Sequence, residues 1–397
     1  MLKAGVLGLG LAGGIILRSL RRVPGVSVVA AADVREAALA AFEADYGGTG
    51  YRDAGELCAD PGVDAVWIAT PSQLHARHAI MAAQGGKQAV VEKPFATSLA
   101  EGDAMIEAAA RAGTVLIAGG ARGFEPAFTA MRQVITGGRL GAVRAITTVA
   151  FTDWMIRPRE PRELDPAAGG GVVNNQAPHA VDVIRLLGGG LVRSVRALAG
   201  EWLPERPGPG YFTALLEFES GVAGSLTYNG YGYLGGWELV PWGDTLARRR
   251  QQEASGAYRQ ALRGGLGDES AAREARRFGG GPAPADGAAQ DWVPGDAGLV
   301  VVSCERGDMR QSRAGLYVYD DEGRHERALP AGESLRGREV AELVAAVRCG
   351  RAPVHSGAWG LATTEVCLAI AQSAAQRREI LLRRQVAAQP LAGKEEA

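Results

Sequence analysis

A short apolar run followed directly by a glycine-rich turn constrains the fold of this chain more than any other feature. Lys3–Leu7 is predicted to be a strand, and the next six residues read G-x-G-x-x-G. Such a pattern allows a tight turn, a close backbone approach to a pyrophosphate and close helix–strand packing, and the following helix N-terminus offers N–H groups to phosphate. The turn therefore predicts a dinucleotide site in a βαβ unit. Its predicted binding residues are Gly8, Gly10, Leu11, Ala12 and Gly13.

Asp33 strengthens this interpretation, because it stands 20 positions after Gly13 at the end of the second predicted strand. A carboxylate there accepts hydrogen bonds from the adenosine ribose hydroxyls and repels a 2′-phosphate. Arg35, two residues later, would offset part of that repulsion. We therefore expect NAD, in preference to NADP, as the cofactor. The alternative is that Asp33 is a solvated residue at a strand end.

The alternation of β-branched runs with Ala-rich stretches extends to about residue 120 and predicts a doubly wound parallel α/β sheet. Later segments alternate as in an antiparallel sheet, at 143–152, 192–200, 211–219 and 222–229. We expect two domains: a Rossmann domain over 1–122 and an α+β domain with a large open, mostly antiparallel sheet over 123–386. Within the second domain, 244–296 is expected to contain a helix and a flexible loop, and 387–397 to be a disordered tail.

Composition excludes several classes of protein. Lys plus Arg total 43 against 44 Asp plus Glu, so the chain lacks the positive field of a nucleic-acid or membrane-surface protein. The four cysteines are widely spaced and show no zinc-site pattern, so we expect reduced thiols and no metal. Residues 1–10 do not read as a secretory leader, and no run approaches a membrane span. We expect a cytoplasmic enzyme.

Two further turns follow predicted strands. Thr70 and Pro71 end the third strand ahead of a helix that carries His75 and His78, and we expect His75 to approach the cofactor and His78 to lie on the helix surface. Glu92-Lys93-Pro94 ends the fourth strand, where the carboxyl ends of parallel strands line a ligand crevice. We include Thr70, Pro71, His75, Glu92 and Lys93 among the cofactor-binding residues. A capping turn and a solvated lysine are the structural alternatives.

The order of these motifs resembles the Gfo/Idh/MocA family. The resemblance rests on the glycine turn with Asp33, on the turn at 69–75, on Glu92-Lys93-Pro94 and on the glycine run leading to a histidine at 169–179. It implies an NAD(P)-dependent dehydrogenase whose C-terminal sheet often mediates a homodimer or homotetramer. It also implies an active-site role for Lys93. In that family an Asp stands four residues before the His, whereas here the matching residues are Asn175 and His179.

This departure changes which residue can act as the general base, because an amide does not take a proton from a hydroxyl as a carboxylate does. An imidazole titrates near neutrality, so we assign the general base to His179. Lys93 would polarise the developing oxyanion, and Asn175 would orient the substrate or His179. Asp182, one helical turn beyond His179, would either steer the imidazole or form a helix salt bridge.

Further segments, at 151–159, 163–165 and 301–306, resemble the phthalate 4,5-cis-dihydrodiol dehydrogenase branch of the family. The implied reaction oxidises a cyclic cis-diol dicarboxylate to the dihydroxy aromatic. Arginines suited to bind two carboxylates are Arg122, Arg157, Arg159 and Arg162, although they would also suit a solvated mixed-charge loop. The alternatives are a sugar, inositol or polyol dehydrogenase of the same family, and a non-catalytic NAD-binding sensor.

Overall fold

The chain forms two compact units. A computed structural model describes residues 1–165, 169–265, 269–280, 292–330 and 334–389. The first unit contains Met1–Ala121, residues 270–280 and Ser334–Thr364. The second contains the described residues of Arg122–Glu269, 292–330 and 365–389. The change at Ala121 adjoins the predicted boundary, but the two later returns to the first unit were not predicted, because sequence periodicity does not show where a distant segment packs.

The first unit is built on six parallel strands in the order β3-β2-β1-β4-β5-β6. Its strands are β1 (Leu2–Leu7), β2 (Val26–Ala32), β3 (Thr49–Tyr51), β4 (Ala65–Ile68), β5 (Gln88–Val91) and β6 (Leu116–Ala118). The helices between them are α1 (Leu11–Leu20), α2 (Glu36–Tyr46), α3 (Ala54–Ala59), α4 (His75–Gln84) and α5 (Leu99–Ala112).

Local sequence explains these boundaries. The Ser98 hydroxyl accepts from the Glu101 N–H at 3.2 Å to begin α5, which ends at Gly113 with φ of 66°. The doubly wound parallel sheet is confirmed, and its order reverses between β1 and β4. The sequence missed β3 and α3, since three- and six-residue elements are too short to show a period.

The second unit contains a nine-stranded sheet in the order β14-β13-β12-β11-β7-β10-β9-β8-β15. The pairing of β10 with β7 is parallel and the other pairings are antiparallel, which confirms the predicted mostly antiparallel sheet. Its strands are β7 (Val143–Phe151), β8 (Val192–Gly200), β9 (Tyr211–Phe218), β10 (Ala223–Asn229), β11 (Leu299–Cys304), β12 (Gly307–Gln311), β13 (Gly315–Asp320), β14 (Gly323–Ala328) and β15 (Ile380–Leu381).

The remaining helices bury the sheet of the second unit or return to the first. They are α6 (Pro126–Thr136), α7 (Pro161–Leu164), α8 (Gly171–Gly188), α9 (Leu246–Arg263), α10 (Glu269–Glu274), α11 (Leu335–Cys349) and α12 (Gly357–Gln376). Helix α8 is buried along nearly its whole length and packs on β7, β9 and β10 through residues such as Val181 and Ile184. This packing fixes the position of His179.

The segment expected to contain a helix and a flexible loop and the segment expected to be a disordered tail both contain described structure. The 244–296 segment includes α9 and α10, while 266–268 and 281–291 lie outside the described residues. Of the predicted tail, residues 390–397 also lie outside them. Residues 387–389 are held by hydrogen bonds: the Ala388 N–H donates to the Gly189 carbonyl at 2.9 Å, and Arg132 donates to the Gln389 carbonyl at 2.7 Å. The tail prediction was wrong for these three residues.

Among the described residues, no helix combines the length and apolarity needed to cross a bilayer.

Candidate active site

The glycine turn of the first unit has the shape that a dinucleotide pyrophosphate requires. Gly8 has φ of 89°, and a Cβ there would lie 2.8 Å from the Ala69 carbonyl oxygen. A Cβ on Gly13 would lie 1.8 Å from the Gly8 carbonyl oxygen, so both positions require glycine for packing. A Cβ on Gly10 would instead meet nothing within 4 Å, so that side of the turn is open. The N-cap of α1 supplies no side-chain acceptor to its first-turn amides, which include those of Leu11 and Ala12.

Asp33 and Arg35 lie beside this turn and contact each other. The Asp33 carboxylate accepts from the Leu9 N–H at 2.6 Å, from the Arg35 N–H at 2.8 Å and from Arg35 Nε at 3.1 Å. The Arg35 Nη2 donates to the Leu9 carbonyl at 2.7 Å. The carboxylate thus lies at the end of β2 next to the glycine turn, where the ribose of a bound dinucleotide is expected. The residues present fit a nicotinamide dinucleotide.

The turn after β4 is supported by two histidines. His75 is 1% exposed, and its Nδ1 and Nε2 lie 2.8 Å from the Pro94 carbonyl and 3.0 Å from the Thr70 carbonyl. Burial lowers the pKa of His75, although these two carbonyls favour its charged form. The ring thus joins the turn after β4 to the turn after β5, whereas the sequence analysis expected it to approach the cofactor. Pro71 is exposed on the same turn.

His78 was wrongly placed on the helix surface by the sequence. It is buried, and its Nδ1 lies 3.0 Å from the Thr70 hydroxyl oxygen. Burial, reinforced by the nearby Arg77 charge, lowers the pKa of His78 to about 4, so the ring is neutral at physiological pH. The amphipathic pattern missed it because α4 packs on α3 and α5 as well as on the sheet.

Glu92 and Lys93 follow β5, and the two side chains have different environments. Lys93 is partly exposed and precedes a cis peptide bond to Pro94. Glu92 is 8% exposed and forms an ion pair with Arg336 of α11. Burial alone would raise the pKa of Glu92, but the Arg336 guanidinium outweighs it and holds that pKa below its ordinary value. Glu92, which the sequence analysis included among the cofactor-binding residues, is thus a buried acid with its carboxylate paired to Arg336.

Arg336 joins Glu92 to a second buried acid, Glu339. Its Nη1 donates to the two Glu339 carboxylate oxygens at 2.6 and 2.8 Å. Glu339 also accepts from Trp67 Nε1 at 2.8 Å and from the Gly120 N–H at 2.9 Å. The network links β4, β5 and the end of β6 to α11. Sequence analysis did not predict this network, because the bonds from Trp67, Gly120 and Glu92 to α11 each span more than 200 residues.

Helix α8 of the second unit carries Asn175, His179 and Asp182 on successive turns. His179 is 4% exposed, and the Asn175 Nδ2 donates back to the Gly171 carbonyl at 3.0 Å. The Asp182 Oδ2 accepts from the Gly123 N–H at 2.6 Å and so ties α8 to the start of this unit. This main-chain bond was not predicted, and Asp182 also favours the charged form of Arg185, three residues further along α8.

Asp296 brings to His179 the carboxylate that position 175 lacks, and the sequence analysis missed it. Its Oδ2 lies 4.0 Å from His179 Nε2 and 2.8 Å from Arg122 Nη2. Arg122 also pairs with Glu125 at 2.7 Å. Burial opposes the charge of Arg122, but these two acids raise its pKa. Sequence analysis could not identify Asp296 as a neighbour of His179, because Asp296 lies far from His179 in the sequence, in a segment expected to end in a flexible loop.

Arg122, Glu125 and Asp296 line a cavity of about 500 Å³ within the second unit, together with Phe128, Trp292 and Leu329. This volume lies in the range of small-molecule sites. A wall with apolar rings and a few charged groups suits a small ring that carries oxygen substituents.

The arginine loop, residues 157–162, lies in the second unit, and its three arginines contact protein partners. Arg157 pairs with Asp153, and Arg162 pairs with Glu160 at 2.7 Å. Arg159 stacks 3.9 Å from the Trp154 ring centroid and donates to the Trp154 carbonyl at 3.0 Å. Arg206, which lies outside the predicted set of four arginines, forms a bidentate pair with Glu269 at 2.8 Å. Of the four predicted substrate arginines, only Arg122 is among the residues that line the cavity.

Two family descriptions match the chain. Residues 2–119 match "Oxidoreductase family, NAD-binding Rossmann fold", and residues 128–239 match "GFO/IDH/MocA C-terminal domain". A 1-carboxy-3-chloro-3,4-dihydroxycyclohexa-1,5-diene dehydrogenase from Comamonas testosteroni is 34% identical over 93% of this chain and 94% of its own. A myo-inositol 2-dehydrogenase from Thermotoga maritima is 29% identical over 56% of this chain and 67% of its own.

The fold also matches a solved structure along nearly its whole length. A crystal structure from Bordetella bronchiseptica superposes with a TM-score of 0.87 at 34% identity, over 96% of this chain and all of that one. The predicted resemblance is confirmed, and with it a nicotinamide cofactor and an oxidoreductase activity. The chain belongs to the Gfo/Idh/MocA family of oxidoreductases.

Proposed function

We propose that the protein is an NAD-dependent dehydrogenase that oxidises a carboxylated cyclic cis-diol, of the phthalate 4,5-dihydrodiol type, to the dihydroxy aromatic. The observation that carries the proposal is the 34% identity, over 93% of this chain, to a relative named for a carboxylated dihydroxycyclohexadiene. The cavity of about 500 Å³ has room for such a ring. Asp33 beside the glycine turn supports NAD over NADP.

His179 is the proposed general base. The Asp296 carboxylate, 4.0 Å from Nε2, favours the protonated imidazole that forms when His179 takes the hydroxyl proton. Arg122 and the α8 packing hold these two groups in place. Lys93 is assigned to hydrogen-bond the substrate oxygen as its negative charge develops. Asn175 is assigned to orient the substrate by a hydrogen bond from its side-chain amide.

Bound NAD supplies the acceptor for the hydride of the carbinol carbon. The O–H proton goes to His179, so the diol loses one hydride and one proton. The resulting ketone tautomerises to the aromatic diol, which makes the oxidation strongly favourable. The chain therefore needs to supply orientation and a base, and a positioned base contributes about 10²–10⁴-fold.

A neutral polyol is the second candidate substrate, and the structure offers one observation in its favour. Each of the four arginines expected to bind carboxylates already contacts a protein acid or carbonyl. A substrate carboxylate would have to displace or share one of them, with Arg122 the best placed in the cavity. An inositol or sugar makes no such demand.

The test is NADH formation by the purified protein with a panel of substrates. The panel contains cyclohexadiene cis-diols with two, one or no carboxylates, along with inositols and aldoses. Lys93→Ala and His179→Ala are expected to lower kcat by about 10²-fold or more, as for loss of a general base or an oxyanion donor. Arg111→Ala, an exposed residue of α5, is the control and should retain full activity.

The panel separates the candidates. Turnover confined to carboxylated diols, with kcat/KM falling as carboxylates are removed, would support the proposal. Turnover of inositols or aldoses alone would establish the polyol candidate and refute the cis-diol one. Full activity in His179→Ala would refute the assigned base whichever substrate is used.

A further inference from the structure

Residues 270–280 pack on the first unit next to the predicted adenosine-binding residues. A Cβ on Gly14 of α1 would lie 3.2 Å from the Phe278 Cβ. The Phe278 ring centroid lies 6.3 Å from that of Tyr46, at the end of α2. A Cβ on Gly279 would lie 3.2 Å from the Ala38 Cα. The segment is therefore anchored on both helices that flank β2.

This segment occupies the side of the Arg35 guanidinium that Asp33 leaves open. Arg35 Nε donates to Asp33 at 3.1 Å and Nη2 to the Leu9 carbonyl at 2.7 Å. The Nη1 donates to Glu274 at 3.0 Å and to the Phe278 carbonyl at 3.3 Å. Glu274 in turn accepts from Arg277 Nη1 at 2.8 Å. All three guanidinium nitrogens of Arg35 thus have protein acceptors.

We propose that Glu274 is a specificity-determining residue that makes the cofactor site reject a 2′-phosphate. The inference rests on the nicotinamide dinucleotide of the proposed function and adds a residue that chooses between its two forms. With Asp33 and Arg35 alone, the site would present one repulsive and one attractive charge to the 2′-position. Glu274 forms an ion pair with the Arg35 guanidinium and adds a second carboxylate beside Asp33.

The electrostatic consequence follows from the contacts. A 2′-phosphate bound to Arg35 must displace Glu274 from Arg35, and it must do so near two carboxylates. A ribose hydroxyl carries no charge and meets no such barrier. Glu274 is 47% exposed, so water and salt screen part of the effect. We therefore expect a moderate discrimination that weakens with ionic strength.

The test compares the binding of ADP-ribose and 2′-phospho-ADP-ribose by calorimetry, using the full chain without substrate. The wild type is expected to bind ADP-ribose more tightly, by at least about tenfold. Glu274→Gln keeps the side-chain size and removes the charge. It should narrow the ratio of the two dissociation constants by about five- to tenfold at low salt, mainly through tighter binding of the phosphorylated ligand.

Two variants make the result specific. Glu107→Gln removes an exposed acid that pairs with Arg111 on α5 of the same unit, and it should leave the ratio unchanged. Arg35→Leu combined with Glu274→Gln should remove most of the tighter binding of the phosphorylated ligand, because the phosphate then lacks the Arg35 guanidinium and meets only Arg277, the second guanidinium that Glu274 binds.

Each outcome has a separate meaning. An unchanged ratio in Glu274→Gln, with both ligands still bound, would overturn the role of Glu274 and leave the proposed cofactor intact. A wild type that prefers 2′-phospho-ADP-ribose would overturn both the role and the choice of NAD. A wild type that binds neither ligand would refute the cofactor assignment, and the role of Glu274 with it.

Discussion

Replacing Arg336 with leucine should destabilise the first unit strongly, and more at high pH than at low pH. Arg336 is 9% exposed and is the cation between two buried acids, Glu92 and Glu339. Removing one partner of a buried ion pair typically costs about 3–5 kcal/mol, because the remaining charge stays buried without compensation. Leucine still fills apolar space at this position. Most of the loss of unfolding free energy should therefore come from the two carboxylates that remain buried without a cation.

The pH dependence has a definite sign. In the wild type the pKa of Glu92 is held below its ordinary value by Arg336, despite burial. Its contribution to stability is therefore present above the unfolded-state pKa and is lost as the pH falls through the folded-state value. In Arg336→Leu, burial loses its main opponent, because Lys93 and His75 oppose it less than Arg336 does, and the pKa of Glu92 should rise. Protonation of Glu92 then removes an uncompensated buried charge in the variant. The difference in unfolding free energy between wild type and variant should therefore become smaller as the pH falls.

Urea unfolding at pH 8 and pH 5.5, followed by tryptophan fluorescence, measures the two free energies. Hydrogen exchange of peptides from β4, β5 and α11 assigns the transition to the first unit. Arg348→Leu, an exposed residue of the same helix, is the control and should cost less than about 1 kcal/mol. A deficit for Arg336→Leu below about 1 kcal/mol at pH 8, or one that grows on acidification, would refute the reasoning.

Two further predictions concern the second unit. Asp296→Asn should lower kcat/KM about tenfold and move the acid limb of its pH profile to lower pH, because the protonated His179 loses a neighbouring negative charge. An unchanged profile would exclude Asp296 as the partner of His179. We also propose a homodimer or homotetramer through the C-terminal sheet, where Leu198 and Leu215 are more than half exposed. Leu215→Lys should reduce the mass seen by light scattering, and a monomeric wild type would contradict this.

The parts of the fold that the sequence predicted are those encoded by local periodicity. A clear period that ends at a glycine or a polar residue predicts a strand over 26–32 and helices over 75–84 and 99–112, and these are the bounds of β2, α4 and α5. The glycine turn and Asp33 were predictable for the same reason, since the turn geometry and the spacing are short-range. The structure places them together at one edge of the sheet.

The parts that could not be predicted depend on contacts between distant segments. His78 was placed on the helix surface and Glu92 among the cofactor-binding residues, because nothing near them in sequence indicates that they are buried. The partner of Glu92 comes from α11, 244 residues later. The arginine loop posed the converse problem: its composition suggested a clamp, whereas the fold supplies an acid or a ring to each arginine. Charge composition does not show which charges are already paired.

The long 244–296 segment shows why such contacts matter for function. It was expected to be a helix followed by a flexible loop with no functional residue, yet it supplies Glu274 to Arg35 in the first unit and Asp296 to Arg122 and His179 in the second. The absence of an acid at position 175 therefore does not leave His179 without a nearby carboxylate. What the base requires is a negative charge close to the imidazole, and a distant segment provides it as well as a residue one helical turn away. The loss of a motif residue is thus weak evidence for the loss of its chemistry.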